Sequence, residues 1–212
     1  MITVCIPVIR RYDLLRDLLV SLQRSTVPYK VAIVNNGRDT ARLRAAVDGV
    51  MTREMLGVLT PDKPLGVAES WNWFMMHVTE ERVIANDDVT FAPNSLMKIV
   101  SSKADLVWAS GFSCFLIRDA CIEKLGFFDE EISPGYGYYE DDDYLQRLDG
   151  RGICEPLAVA ENVDAGVAHL NSGTLKASTH AELLEHHRKF KVAQENYMRK
   201  WQLSEQDMGI FR

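Results

Sequence analysis

The chain has 212 residues, which at roughly 150 residues per domain bounds it to one domain with elaborations. Hydrophobic residues make up 47% and charged residues 25%, the balance of a globular protein able to bury a full core. A formal net charge of −6 argues against a broad nucleic-acid footprint, and no apolar run approaches the roughly 20 residues that span a bilayer.

Met1 to Pro7 lacks the charged start and long apolar stretch of a signal peptide. Cys5, Cys114, Cys121 and Cys154 show no CxxC spacing, so they are expected as reduced, mostly buried thiols of a cytoplasmic protein. Ile2 to Ile6 reads as a buried strand, and Leu14, Leu15, Leu18, Leu19 and Leu22 then recur at helical spacing. Val31 to Val34 is a second strand, stopped by the turn Asn35-Asn36-Gly37. Thr40 to Val50 reads as helix and Met55 to Leu59 as a short strand. The loop Pro61 to Gly66 leads into a third helix with Ala68, Trp71, Met75 and Val78 along one face. Val83 to Ala85 is a strand running into Asn86-Asp87-Asp88. This alternation predicts a parallel sheet with helices on both faces and a ligand at the carboxyl ends of its strands.

The second half is less regular. Leu106 to Ala109 and Cys114 to Ile117 read as a strand pair broken around Gly111. Arg118 to Leu125 reads as helix, Gly135 to Tyr139 as an aromatic loop with partly exposed tyrosines, and Glu140 to Gly150 as a helix with an acidic start. Ser178 to Trp201 is a long charged helix, read most simply as a solvated face. The whole is expected to be one α/β domain over 1–212 with a mixed-sheet extension in its back half.

Three constellations carry chemistry. Asn86-Asp87-Asp88 offers adjacent carboxylates at a strand end, suited to Mg²⁺ or Mn²⁺, or else a turn capped by Asp. In Glu140-Asp141-Asp142-Asp143 mutual repulsion can raise one pKa and make a general base. The same string also suits a helix N-terminus, with Asp143 and Arg147 as an i,i+4 pair. His169, before the flexible Ser172-Gly173-Thr174, is either a structural histidine or a neutral metal ligand. Trp71 and Trp73 are read as mostly core.

In this order the residues resemble a family-two glycosyltransferase of the GT-A fold, from Ile2 to about Trp201. Val4-Cys5-Ile6-Pro7 resembles the first strand, and Ile33 to Gly37 the second strand with its nucleotide-contacting turn. Leu65-Gly66-Val67-Ala68 with Trp71-Asn72 resembles the loop and helix beside the diphosphate. Asn86-Asp87-Asp88-Val89 stands where the family keeps its DxD motif. Gly126-Phe127-Phe128-Asp129-Glu130 followed by Tyr139-Glu140-Asp141-Asp142-Asp143 and Arg147 resembles its most specific block, and His169 with Ser172-Gly173 its late metal-binding histidine.

The resemblance implies a GT-A (Rossmann-like) fold: a mostly parallel sheet flanked by helices, with a nucleotide-binding half (1–90), an acceptor and catalytic half (91–175) and a C-terminal helical segment (176–212). It implies metal-dependent, inverting sugar transfer from a nucleotide-diphosphate sugar to an acceptor hydroxyl. Asp141 would be the base, with Glu140 sharing or orienting, and Asp88 and His169 would hold Mn²⁺ or Mg²⁺. Pro7, Val8, Asn35, Asn36, Gly66, Asn72, Asn86 and Asp87 would bind the donor, and Tyr139, Trp108, Arg147 and Ser172 would serve the acceptor or support it. Two positions depart from the family pattern. Asn86 replaces the first DxD carboxylate, and Asn35 stands where Asp is frequent, so a UDP-sugar is only slightly favoured. The acceptor is left open among glycan, lipid-linked sugar, protein and, less favoured, modified DNA, and an oligomer is compatible with the sequence. A degenerate nucleotide-sugar-binding module and a GT-A-like nucleotidyltransferase are the alternatives.

Overall fold

The computed structural model describes residues 1–150, 158–170 and 178–208. In chain order the described strands are β1 (Ile2–Val8), β2 (Tyr29–Asn35), β3 (Leu56–Leu59), β4 (Glu81–Ala85), β5 (Val89–Phe91), β6 (Leu106–Trp108), β7 (Cys114–Ile117), β8 (Ala160–Asn162) and β9 (Val167–His169). The described helices are α1 (Tyr12–Leu22), α2 (Thr40–Val47), α3 (Val67–His77), α4 (Ser95–Ser101), α5 (Asp119–Leu125), α6 (Glu140–Leu148), α7 (His180–Trp201) and α8 (Glu205–Met208).

Side chains alternate across the sheet and feed two cores. Ile2, Val4, Ile6 and Val8 of β1 and Val31 and Ile33 of β2 face one core, where Leu15, Leu18, Leu19 and Leu22 of α1 cover them. Cys5 and Val34 face the other, with Trp71, Phe74 and Met75 of α3 and Tyr144 and Leu148 of α6. Seven strands form the main sheet in the order β3-β2-β1-β4-β7-β6-β8. Pairing is parallel from β3 through β4, and β7 alone runs against its neighbours β4 and β6. The expected mostly parallel sheet with a mixed back half is therefore present.

Several boundaries differ from the sequence reading. α2 stops at Val47, before Gly49, whose φ of 72° lies in the left-handed region. The pairing of β5 with β9, the parallel addition of β8 to β6, and the short helix α4 are not anticipated by the local pattern. Cys5, Cys114 and Cys121 are free and buried as expected, and Cys154 lies outside the described residues. No described helix is long and apolar enough to cross a membrane.

Candidate active site

The strand order reverses direction between β1 and β4, the place where open α/β sheets hold ligands. The β1–β4 ladder runs only from Ile2↔Glu81 to Cys5↔Ile84, whereas β1 stays paired to β2 as far as Val8↔Asn35. Pro7, which has no N–H to donate, falls in the stretch free of β4. The two strands part there, and a cleft of about 1420 Å³ opens at their carboxyl ends.

One wall is made of strand ends and the loops after them. Main-chain N–H groups of Asn36 and Gly37 donate to Val8 O at 2.8 and 3.3 Å, closing the turn after β2 onto β1. A Cβ on Gly37 would lie 2.0 Å from Ile9 O and 2.5 Å from the Tyr12 hydroxyl, so only glycine fits. The Asn36 amide donates to Ser70 Oγ at 3.0 Å and accepts from Leu65 N–H at 2.9 Å, fixing the turn to the start of α3. Gly66 lets that start approach the aromatic loop: a Cβ would meet Tyr136 O at 2.6 Å, and Val67 N–H donates to the same carbonyl at 2.9 Å.

Asn86-Asp87-Asp88 leaves β4 at the mouth of this gap. β5 follows at once and pairs antiparallel with β9, with Val89 opposite His169 and Leu170 N–H donating to Asp88 O at 3.0 Å. The pairing places His169 Nε2 3.1 Å from Asp88 Oδ1 on the cleft wall. An imidazole nitrogen and a carboxylate oxygen in contact on a cleft wall are donor types that a divalent cation takes, with ligand oxygens or water as its further partners. Among the described residues, no group of three or more His, Cys, Asp or Glu side chains surrounds a common metal position. Burial, followed by the charge of Asp88, pushes the Asp87 carboxyl up to about 7.

The opposite wall is the aromatic loop and the first turn of α6. Tyr139 stands just before the helix with φ 65°, a left-handed conformation uncommon for a bulky side chain. That bend turns Glu140, Asp141 and Asp142 toward the cleft. Glu140 is buried and its Oε2 accepts from Ser133 Oγ at 3.0 Å and from Tyr138 N–H. Burial, and then the charge of Asp141, pushes Glu140 up to about 8. Asp141 is half-buried, and desolvation raises its carboxyl above the usual range. Asp142 is exposed at the rim and is pushed up to about 6, by desolvation first and by Asp141 second.

Asp143 faces away from the cleft and is wholly buried. Its Oδ2 lies 3.0 Å from Arg147, and its Oδ1 accepts from Trp201 Nε1 at 2.9 Å and lies 2.7 Å from Lys200 Nζ. The expected Asp143–Arg147 pair is present, and it also ties α7 to α6. Tyr139 stacks on Tyr197 with ring centroids 5.2 Å apart, and Tyr138 packs edge-on against Phe190. The long helix is thus not simply a solvated face, a correction to the sequence reading. One of its sides buries Ala193 and Tyr197, and on the same side Glu182, Glu185, His186 and Lys189 line the cleft. Glu182 closes the helix cap with Thr179 and also pairs with Arg10, which follows β1.

Of the sequence-derived candidates, Pro7, Val8, Asn36, Gly66, Asn86, Asp87, Asp88, Tyr139, Glu140, Asp141 and His169 come together on this cleft. Four others lie behind it. Asn35 is wholly buried, accepting from the Tyr12 hydroxyl at 2.6 Å and donating to Thr60 Oγ1 at 3.3 Å. The Asn72 amide clamps Phe128 main chain from both its ends, at 2.9 Å each, and donates to Glu130 at 2.8 Å. Trp108 packs edge-on against Phe112, and Arg147 lies over the Tyr144 ring and donates to Leu125 O at 2.6 Å. Ser172 lies outside the described residues. Trp71, which the resemblance placed beside the diphosphate, lines the cleft, and sequence reasoning missed the polar start of α7. The spacing of Glu182, Glu185, His186 and Lys189 on one helical face was the available signal.

No protein-family model and no curated protein sequence matches the chain. Solved structures do match its fold. The mannosyltransferase PcManGT from Pyrobaculum calidifontis, in complex with GDP-Man and Mn²⁺, superposes with a TM-score of 0.60 at 15% identity over 76% of this chain and 54% of its own. The S. aureus TarS fragment 1–349 gives 0.54 at 14% identity over 69% of this chain and 54% of its own. Glucosyl-3-phosphoglycerate synthase from Mycobacterium tuberculosis, in complex with phosphoglyceric acid, gives 0.57 at 13% identity over 97% and 81%. The chain spans about half the length of the first two. The fold is that of GT-A glycosyltransferases, and the inference from fold to activity rests on the site.

Proposed function

We propose that the chain is a divalent-metal-dependent, inverting glycosyltransferase that moves a sugar from a nucleoside-diphosphate sugar to an acceptor hydroxyl. One observation carries the reading: the Asp88–His169 pair and the raised carboxylate of Asp141 face one cleft at the switch point of the sheet. The GT-A fold, shared with a mannosyltransferase solved in complex with GDP-Man and Mn²⁺, supports it.

Residues 1–90 would supply the nucleotide wall, with Pro7, Val8 and Asn36 lining it and Asn35 holding the Tyr12 and Thr60 side chains behind it. Asp88 and His169 would hold Mn²⁺ or Mg²⁺, whose positive charge stabilises the departing diphosphate. Asp87 and Asn86 would face the donor's ribose or sugar. Asp141 accepts the proton of the attacking hydroxyl, and desolvation raises its affinity for that proton. Glu140, held by Ser133 and Tyr138, orients Asp141 or the acceptor. Direct displacement with Asp141 opposite the diphosphate inverts the anomeric carbon.

The test is melting temperature against a panel of nucleotide sugars with Mn²⁺, with Mg²⁺ and with chelator, followed by transfer assays with the donor that binds. Ligand binding to the folded state raises the melting temperature by mass action. A metal-dependent shift confined to one nucleotide series is expected. Absence of any shift across the panel would reject a donor site here.

A further inference from the structure

Among the described residues, two permanent cations line the cleft, Arg10 and Lys189. Lys189 stands on α7 and keeps to that wall. Its Nζ lies 3.9 Å from Glu185 and 5.4 Å from the centre of the Tyr136 ring. Arg10 stands on the other wall, just past the end of β1. Pro7, Val8 and Ile9 line the cleft beside it, and Asp88 and His169 line the same cleft. The next residue, Arg11, turns instead to Asp13, with hydrogen bonds of 2.6 to 3.2 Å.

The Arg10 guanidinium has a partner of its own. Nη1 donates to Glu182 Oε1, so the pair joins the segment after β1 to the first turn of α7. The two oxygens of Glu182 have separate partners. Oε1 takes Arg10, while Oε2 accepts from Thr179 N–H and Oγ1 at 2.7 and 2.9 Å and closes the helix cap. The cap therefore holds this carboxylate with or without Arg10. Both side chains of the pair are 44% exposed, and an ion pair so open to water is weak.

A diphosphate competes well against such a partner. Its oxygens match the guanidinium fork, and charge-assisted bonds of that geometry are among the strong ones. Ligands of open α/β sheets sit at the carboxyl ends of the strands, which is where Arg10 stands.

We propose that Arg10 binds the diphosphate of the donor and that Glu182 competes with it for the guanidinium, so that Arg10 exchanges one anion for the other when the donor enters. The proposal rests on the glycosyltransferase reading and adds to it a binding residue and an internal competitor.

The experiment is titration calorimetry with UDP, GDP, ADP, CDP and dTDP, each with Mn²⁺. Four proteins are compared: wild type, Arg10→Gln, Glu182→Gln and the double variant. Glutamine at 182 keeps an oxygen for the Thr179 cap. Arg10→Gln is expected to weaken the nucleoside diphosphate that binds by about tenfold or more, the worth of a hydrogen bond to a charged group. Glu182→Gln is expected to act in the opposite direction and tighten it about two- to fivefold, the worth of one exposed ion pair. In the Arg10→Gln background the same change at 182 is expected to alter affinity by less than about twofold, because the contested guanidinium is gone. Unchanged affinity in Arg10→Gln, unchanged or weaker affinity in Glu182→Gln, or a full Glu182→Gln effect without Arg10 would overturn the proposal and leave the transfer reading standing. Binding of none of the five nucleotides or their sugars by the wild-type chain would remove the transfer reading, and the proposal with it.

Discussion

The wall of the cleft formed by β1, β2 and β4 is held by main chain, whereas the wall formed by 135–142 and α7 is held by side chains far apart in sequence. On the first, Asn36 and Gly37 N–H groups lock onto Val8 O and the sheet registers fix where each strand ends. On the second, the Asp143 carboxylate with Arg147, Lys200 and Trp201, and the Tyr138–Phe190 and Tyr139–Tyr197 contacts, set where α7 overhangs the acidic helix. Main-chain pairing tolerates sequence change in the side chains it carries. A wall set by one buried carboxylate and four aromatic rings does not. The contrast predicts one wall that tolerates substitution and another that single substitutions can detach.

Substitutions sharpen that contrast, beginning with the chemistry. Asp141→Asn is expected to lower kcat on the order of 10²–10⁴-fold, the usual worth of a general base, with donor Kd within about threefold. Near-wild-type turnover would remove Asp141 from the base role. Asp143→Ala leaves Arg147, Lys200 and the Trp201 indole without their buried partner. The expected cost is about 3–5 kcal/mol in urea unfolding, with acceptor KM raised more than donor Kd. An equal effect on both substrates would show that the two walls are not separately held. Asp88→Ala is expected to weaken Mn²⁺-dependent donor binding on the order of tenfold or more, read by calorimetry with and without chelator. Unchanged binding would place the cation elsewhere.

Smaller effects follow from titration and from single hydrogen bonds. The Glu140 carboxyl is pushed from its ordinary 4.5 up to about 8, so the folded chain binds that proton more tightly than the unfolded one. Its contribution to stability is full below about 4.5 and is lost as the pH rises through about 8. Glu140→Gln should therefore flatten the fall in urea stability across that window, and an unaltered slope would contradict the assignment. Tyr12→Phe removes the donor to Asn35 and is expected to cost about 1 kcal/mol, seen in the same measurement. No loss would show that Asn35 is held without it.

Much of the first wall is legible in the residues themselves. The leucines from 14 to 22, the apolar runs at 2–6 and 31–34, and the Asn-Asn-Gly stop name a strand, a helix, a strand and a turn, because each signal repeats locally. The acidic string after Tyr139 is likewise readable as a helix start, and it is one. Placement behind the cleft is less readable: Asn35 and Asn72 look like ligand-facing amides in sequence, yet their hydrogen bonds are made inside the protein.

What the sequence by itself determined is the succession of elements and the chemical types available at the strand ends. Periodicity and turn chemistry act over a few residues and need no distant partner. Which carboxylate meets which histidine was decided by tertiary structure. β5 and β9 are three residues each, too short to announce themselves, and only their antiparallel register sets His169 beside Asp88. The same holds for α7. Its charged composition suits solvent, and it forms a wall because one buried carboxylate and a few aromatic rings, supplied by residues far away in the chain, hold it there.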